Sequence, residues 1–199
     1  MDPVVVQAMA KWPSVPNVFG WLLLDRRGNW LIKGDRIANP GIISFIGRNY
    51  AQDELGRFFF QNGPQRVFVS LAYTPYVALL ESGAPGRLHT QTGQTLTRVS
   101  GVWIDEGGSM LLRWESGVGV VNDRDLEAVL RMLTDARGSP VADAGLARVL
   151  DSDLQRRNTG LYFDYASVRV PVGRIRSEEV AQKFGFDPAP RQKEGEPEC

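Results

Sequence analysis

Short apolar runs and alternating apolar and polar residues make up most of this chain, and both patterns are typical of β-strands. The stretches 67–71 and 168–172 alternate with a period of two, as strands do when they bury one face. Apolar runs at 21–24, 76–80 and 102–104 add further strands. The pattern therefore predicts a protein built mainly from strands.

A six-residue phrase with Asp at its first position and Gly at its fourth occurs three times, at residues 25–30, 53–58 and 105–110. An Asp carboxylate can accept backbone N–H groups two residues on, and Gly tolerates a positive φ. Apolar runs flank the first and third copies, as a β-hairpin requires. We expect hairpin turns at all three copies, and further turns at 62–64 and 92–93.

Two main helices are predicted, near residues 40–50 and 123–136. Asn39 and Pro40 suit the N-cap and the first helical position, and isoleucines follow at helical spacing. Asn122 suits the N-cap of the second helix. An i, i+3, i+4, i+7 stripe supports this second helix: Leu126, Val129, Leu130 and Leu133.

Three weaker helical stretches complete the prediction of secondary structure. Residues 4–9 suit a brief helix that ends before Trp12, or equally an N-terminal arm lying across the sheet. A second stretch is 142–154, and a third, short and amphipathic, begins at Ser177. Pro171 has no N–H to donate, so we expect it at a sheet edge or beyond a strand's end.

These elements predict an α+β protein: a mostly antiparallel, bent sheet of hairpins with two main helices and a C-terminal strand–helix extension. The segments expected along the chain are an N-terminal arm (1–19), a first α+β subdomain (20–82), a second subdomain of hairpins and a helix (83–136), the C-terminal extension (137–186) and a disordered tail (187–199).

Composition narrows the class of protein. In 199 residues, 43% are hydrophobic and 10% aromatic, which is too many for a disordered chain. Lys and Arg number 23, as do Asp and Glu, so no net charge draws the chain to phosphate backbones or anionic lipid. No apolar run approaches the roughly 20 residues of a membrane span, and no basic segment of a signal peptide opens the chain. We expect a soluble cytoplasmic protein. It has no internal disulfide, since Cys199 is the one cysteine.

The order of these elements resembles an uncharacterised bacterial family known as a domain of unknown function (number twelve eighty-five). The pieces that carry the resemblance lie between about residues 20 and 135: D-R-R-G-N-W, N-P-G-I-I-S-F-I, D-E-L-G-R-F-F-F and P-Q-R-V-F-V-S-L-A-Y-T-P-Y-V-A-L-L. They are turn and packing signals. The resemblance therefore implies a fold but no known activity, and it brings no catalytic or binding residues to this chain.

Residues that could carry chemistry are few. His89 is the one histidine, no G-x-S-x-G elbow occurs, and most acidic residues begin turns or helices. Asp151 and Asp153 form an isolated D-x-D, which is more typical of a solvated helix end than of a metal site. The glycines at 117–122 lack the spacing of a phosphate-binding loop. We predict no catalytic residue, no cofactor and no metal.

Arginine and aromatic residues in the hairpins form the sharpest functional candidate, because such side chains can stack the bases of single strands. The predicted binding surface comprises Trp30, Arg48, Arg57, Phe58 and Arg66, with Trp21 and Phe60 as further members. Packing in a core is the commoner fate of bulky strand residues.

Three function classes follow. We favour a non-enzymatic binding or scaffold module whose partner is a protein or a second copy of the chain; it predicts an apolar surface patch. A binder of single-stranded nucleic acid or nucleotides predicts exposed Arg and Trp side chains side by side. A small-molecule enzyme predicts carboxylates with shifted pKa values in a concave pocket. A membrane partner is not expected.

Overall fold

The structure, a computed structural model, describes residues 1–12, 15–84, 86–142, 145, 147 and 158–192. The chain separates into two compact units. Unit 1 contains residues 1–75, 91–93 and 185–199, and unit 2 contains residues 76–90 and 94–184. The five segments predicted from the sequence stay predictions, because a division into compact units does not test whether a segment folds independently. Within the described residues, no helix is long and apolar enough to cross a membrane.

Unit 1 holds a six-stranded sheet in the order β3-β2-β1-β6-β5-β4, in which β1 and β6 run parallel and the other neighbours antiparallel. Its elements are α1 (Pro3–Lys11), β1 (Val18–Leu24), β2 (Trp30–Ile32), β3 (Asp35–Arg36), α2 (Pro40–Arg48), β4 (Tyr50–Gln52), β5 (Phe58–Asn62) and β6 (Gln65–Leu71). The predicted hairpins at 25–30, 53–58 and 62–64 are confirmed. Residues 4–9 lie in a helix, the first of the two expected alternatives.

Local signals explain where α2 begins and what it covers. The Asn39 side-chain oxygen accepts the N–H groups of Gly41 at 2.8 Å and Ile42 at 3.2 Å, as the predicted N-cap requires. Ile46 is buried, and the Phe45 ring packs edge-on against Phe60, with 5.4 Å between ring centroids. The helix thus covers one face of the sheet near β5, and it ends after nine residues.

Unit 2 holds an eight-stranded sheet in the order β12-β13-β14-β9-β10-β11-β7-β8, in which the pairs β11–β7 and β14–β9 are parallel. Its elements are β7 (Tyr76–Leu80), β8 (Leu88–Thr90), β9 (Gly101–Ile104), β10 (Met110–Trp114), β11 (Gly117–Val121), α3 (Leu126–Leu130), β12 (Leu133–Thr134), β13 (Asn158–Tyr165), β14 (Val168–Arg174), a 3₁₀ turn (Ser177–Glu179) and α4 (Val180–Phe184).

The predicted helix at 123–136 is shorter in the structure. It begins at Leu126 and ends at Leu130, because Leu133 and Thr134 pair with β13 instead of continuing the helix. Leu133 is still buried in the core, as the stripe predicted, but it reaches the core from a strand. Sheet pairing at long range therefore overrides a helical pattern here.

The α+β class is confirmed, although the strands form two mixed sheets rather than one. Among the described strands, nine neighbouring pairs are antiparallel and three are parallel. The prediction that Pro171 lies at a sheet edge or beyond a strand's end is wrong, because Pro171 lies within β14, and β14 lies between β13 and β9. Registered pairs with β9 begin at Val172, so the missing N–H of Pro171 interrupts none of them.

The end of the chain differs from the predicted tail. The N–H of Leu71 donates to the Pro188 carbonyl at 2.8 Å, and the N–H of Asp187 donates to the Gly56 carbonyl at 3.0 Å. The first residues of that segment are therefore bound to unit 1. Most of the weak helix predicted at 142–154, and Cys199, lie outside the described residues.

Candidate functional site

An apolar groove in unit 1 is the strongest candidate for a functional site. We call it the groove; its cavity volume is about 210 Å³. Eight of its lining residues are apolar and two are amides: Val18, Trp21, Leu22, Ile32, Ile42, Ile46, Phe60 and Val67, with Asn62 and Gln65. Trp21, Ile32 and Ile42 keep 51%, 46% and 48% of their surface exposed, so the groove opens to solvent.

An irregularity in β1 builds one wall of the groove. Val18 pairs with Val67 and Leu22 with Val69, so four residues of β1 advance against two of β6. Within this shift Gly20 has a φ of +74°, which Gly adopts without strain. Neighbouring residues of a regular strand point to opposite faces, whereas here both Trp21 and Leu22 line the groove.

The short reach of α2 leaves the groove open. Ile42 and Ile46 lie one turn apart on this helix and form the opposite wall. Ile46 is buried, whereas Ile42, nearer the N-terminus, is exposed. The sheet face beneath this end of the helix is therefore only partly covered.

Charged groups lie at the rim and not in the lining. The Lys33 ammonium is 4.0 Å from the centroid of the Trp21 ring, a cation–π contact. Asp35 stands opposite Ile32 in the β2–β3 pair. The lining itself carries no charge, so the groove suits an uncharged group.

The structure buries two aromatic residues of the predicted binding surface in the core of unit 1. Trp30 and Phe58 are 1% and 3% exposed, and both rings pack against Tyr50, at centroid distances of 5.2 Å. A ring enclosed in this way offers no face on which a base could stack. Of the further members, Phe60 is buried in the groove wall and Trp21 stands half exposed at its rim.

The three arginines of that surface have different environments. Arg57 is buried, and its Nε is 2.8 Å from the Asp53 carboxylate while its guanidinium lies 4.4 Å from the Phe68 ring centroid. Arg48 is exposed and pairs with Asp2 at 3.1 Å. Arg66 lies over the Phe59 ring at 4.8 Å. Ligand binding by Arg48 and Arg66 stays a prediction.

Two carboxyl groups of unit 1 titrate below their ordinary range. Burial acts to raise the pKa of Asp53, but hydrogen bonds from the Arg57 side chain and backbone, with its charge, outweigh burial and lower the pKa. The Arg48 side chain, by its hydrogen bond, lowers the pKa of Asp2. Both pKa shifts favour the ionised carboxylate, which pairs with an arginine in each case. We therefore read both aspartates as structural ion-pair partners.

The structure also places the other candidates for chemistry. Nδ1 of His89 is 2.9 Å from the Thr90 carbonyl oxygen. The described residues contain no group of three His, Cys, Asp or Glu side chains that could hold a metal ion, and Asp151 and Asp153 lie outside them. In unit 2, Arg174 is buried, and its Nε and Nη1 atoms have no hydrogen-bond partner in the described part of the chain.

Two features of the structure were not predicted from the sequence: a turn at Asp135 and the groove. Asp135 begins a fourth turn of the same type, in which its Oδ1 accepts the N–H groups of Arg137 at 2.8 Å and Ser139 at 2.9 Å. These hydrogen bonds lower the pKa of Asp135. The spacing D-A-R-G was visible at this point. The groove was missed because Ile32 and Ile42 look like ordinary core positions in their own elements.

Comparisons with known proteins give a family and a fold. The family model DUF2944, described as "Protein of unknown function (DUF2946)", matches residues 1–191. A search of curated proteins finds no match. A DUF1285 family protein from Silicibacter pomeroyi DSS-3 superposes with a TM-score of 0.53 and 12% identity over 90% of each chain. A DUF1285 family protein from Shewanella baltica OS155 superposes with a TM-score of 0.41 and 16% identity. That superposition covers 56% of this chain and 88% of the Shewanella chain.

The similarity to the Silicibacter protein is a shared fold. The predicted resemblance to a domain-of-unknown-function family without known activity is confirmed. The shared fold extends beyond residues 20–135, because the superposition covers nine tenths of the chain.

Proposed function

We propose, for a chain that belongs to the DUF2944 family of proteins of unknown function, that it is a non-enzymatic binding module that holds apolar side chains of a partner in the groove. The observation that carries the proposal is the lining: eight apolar residues, two amides and no charge, around about 210 Å³ of open space. Apolar surface left in water costs roughly 25 cal/mol per Å², so a partner that covers it gains that free energy.

The composition of the rim supports the same role. Trp21 stands half exposed at the edge of the groove, and tryptophan is among the residues that contribute most to protein interfaces. Lys33 lies over its ring and restricts where the indole can move. A preset aromatic anchor lowers the entropy cost of binding.

Methyl NMR with benzene as the probe tests the proposal, because apolar cavities of about 150 Å³ take up benzene. Ile32, Ile42 and Ile46 line the groove, whereas Ile104 and Ile175 are buried in unit 2. We expect saturable shifts of the first three δ1 methyl signals and none of the other two.

Two matched variants sharpen this experiment. Ile42→Asp places a charge in the groove and should abolish the saturable response, while Leu55→Asp changes an equally exposed residue outside the groove and should leave it intact. Shifts spread over all the isoleucines, or a response that survives Ile42→Asp, would reject the groove as a binding site. Salt-sensitive binding of single-stranded oligonucleotides would favour the nucleic-acid alternative instead.

A further inference from the structure

The size of the groove restricts what it can hold. Sites for small molecules have volumes of about 300–1,000 Å³, and the groove, at about 210 Å³, is smaller. It has room for one or two aliphatic or aromatic side chains. Because its lining carries no charge, those side chains must be uncharged as well.

Helix α1 presents side chains of this kind. Pro3, Val6 and Ala10 lie at i, i+3 and i+7, which places them on one face of the helix, and all three are exposed. Val5, on the opposite side, is the buried residue of this helix. Because all three are exposed, no other part of the described chain covers this apolar face, although a surface helix normally turns polar residues outward.

Helix α1 is also fixed in position by polar contacts. The Asp2 N–H donates to the Asn49 side-chain oxygen at 2.8 Å, and the Arg48 Nε is 3.1 Å from the Asp2 carboxylate. The helix is therefore held on unit 1 before any partner arrives, which reduces the ordering cost of binding through its outer face.

We propose that the partner is a second copy of this chain: the Pro3–Val6–Ala10 face of α1 in each copy docks in the groove of the other. The inference rests on the proposed function, since it names the occupant of the same groove. An exposed face and a groove on one unit supply the two surfaces that a two-fold dimer needs, in which each contact occurs twice. The net charge of zero removes long-range repulsion between copies.

The oligomeric state of the full chain tests this inference, measured by analytical ultracentrifugation over a range of concentrations. We expect a dimer. Val6→Asp, on the docking face, and Ile42→Asp, in the groove, should each raise the dissociation constant by about 100-fold or more, because each substitution enters the dimer twice at a contact that contributes strongly.

Matched controls separate docking from general damage. Val4→Asp lies on the same helix but at least about 100° around the helix axis from Pro3, Val6 and Ala10, so it should leave the dimer intact. Leu55→Asp is the corresponding control for the groove substitution. Circular dichroism of each variant checks that it is folded. Equal loss of the dimer in Val4→Asp and Val6→Asp would overturn the assignment to this face.

A mixing experiment gives the sharpest outcome. A Val6→Asp chain keeps an intact groove, and an Ile42→Asp chain keeps an intact helix face, so the mixture can form one of the two contacts. We expect a heterodimer weaker than the wild-type dimer but tighter than the homodimer of either variant. A wild-type chain that stays monomeric at all concentrations would overturn this inference. A benzene response of the groove isoleucines in that monomer, or in the Val6→Asp chain whose groove is unoccupied, would leave the proposed groove function standing.

Discussion

Unit 1 and unit 2 are both built from strands and short helices, but they differ in how much apolar side-chain surface stays exposed. All eight large hydrophobic residues that are exposed in the described part of the chain belong to unit 1: Met1, Val4, Val6, Trp12, Trp21, Ile32, Ile42 and Leu55. In unit 2 the residues of α3, β12 and β13 join one buried cluster with the central strands. The large exposed apolar side chains of the described residues therefore lie in the unit that contains the groove.

The buried arginines of the two units differ in their pairing. In unit 1, buried Arg57 is tied to Asp53 at 2.8 Å, whereas in unit 2, Nε and Nη1 of buried Arg174 have no hydrogen-bond partner in the described residues. In the same core, the hydroxyl of buried Tyr165 donates to the Leu96 carbonyl at 2.6 Å and accepts the Leu88 N–H at 3.1 Å. The two buried arginines should therefore respond to substitution in opposite directions.

The largest effect is expected in the core of unit 2. Phe163 is fully buried, and Phe163→Ala removes a large ring from a packed layer. The free energy of unfolding should fall by about 3–5 kcal/mol, measured by urea denaturation. A loss below about 1 kcal/mol would show that this core can collapse around the cavity, and the contrast between the units would weaken.

The ion pair of unit 1 comes next. Asp53→Asn removes the carboxylate charge that lies 2.8 Å from Nε of buried Arg57, and the loss should be about 2–3 kcal/mol at neutral pH. Asp25→Asn is the matched control, because Asp25 makes the same backbone hydrogen bonds in its turn, to Arg27 and Asn29, and pairs with an Asn side chain rather than an arginine. Equal losses in both variants would show that the turn, and not the ion pair, carries the stability.

The same pair predicts a pH dependence. The pKa of folded Asp53 lies below its ordinary value, so the unfolded chain binds the proton more readily. Its contribution is complete above the ordinary carboxyl pKa of about 4, and it is lost as the pH falls through the folded pKa. Wild type and Asp53→Asn should therefore converge in stability on acidification; a constant difference would contradict the linkage.

Arg174→Met is expected to act with the opposite sign. Replacing a poorly paired buried charge by an apolar side chain of similar length should raise the free energy of unfolding by about 1–2 kcal/mol. Arg57→Met, the same substitution in unit 1, should lower it because Asp53 then loses its partner. If Arg174→Met also destabilised the protein, the charge would have a compensating interaction, and the two arginines would not differ.

The smallest effect on stability is expected at the groove. Trp21 is half exposed, so Trp21→Ala should change the free energy of unfolding by less than about 1 kcal/mol. The same variant should lose the benzene response of the groove isoleucines. A loss of stability comparable to that of Phe163→Ala would mean that the groove belongs to the core of unit 1 and is not a surface for binding.

Local chemistry was enough to predict the turns and the start of α2. These signals act over four or five residues: an Asp carboxylate that accepts nearby N–H groups, a Gly with positive φ and an Asn at the N-cap. Both partners of each interaction therefore lie within one short stretch of sequence. For this reason the sequence predicts the hairpins, the helix near residues 40–50 and the α+β class. The sequence was silent on where the exposed apolar residues would meet.

Tertiary structure decided the rest. The end of α3 depends on pairing between Leu133 and Phe163, thirty residues away, and the place of β14 between β13 and β9 depends on strands far apart in the chain. The groove needs the shift in β1, the reach of α2 and the position of Phe60 together. Periodicity identifies which residues leave water within one element, but only packing between elements determines which of them stay exposed.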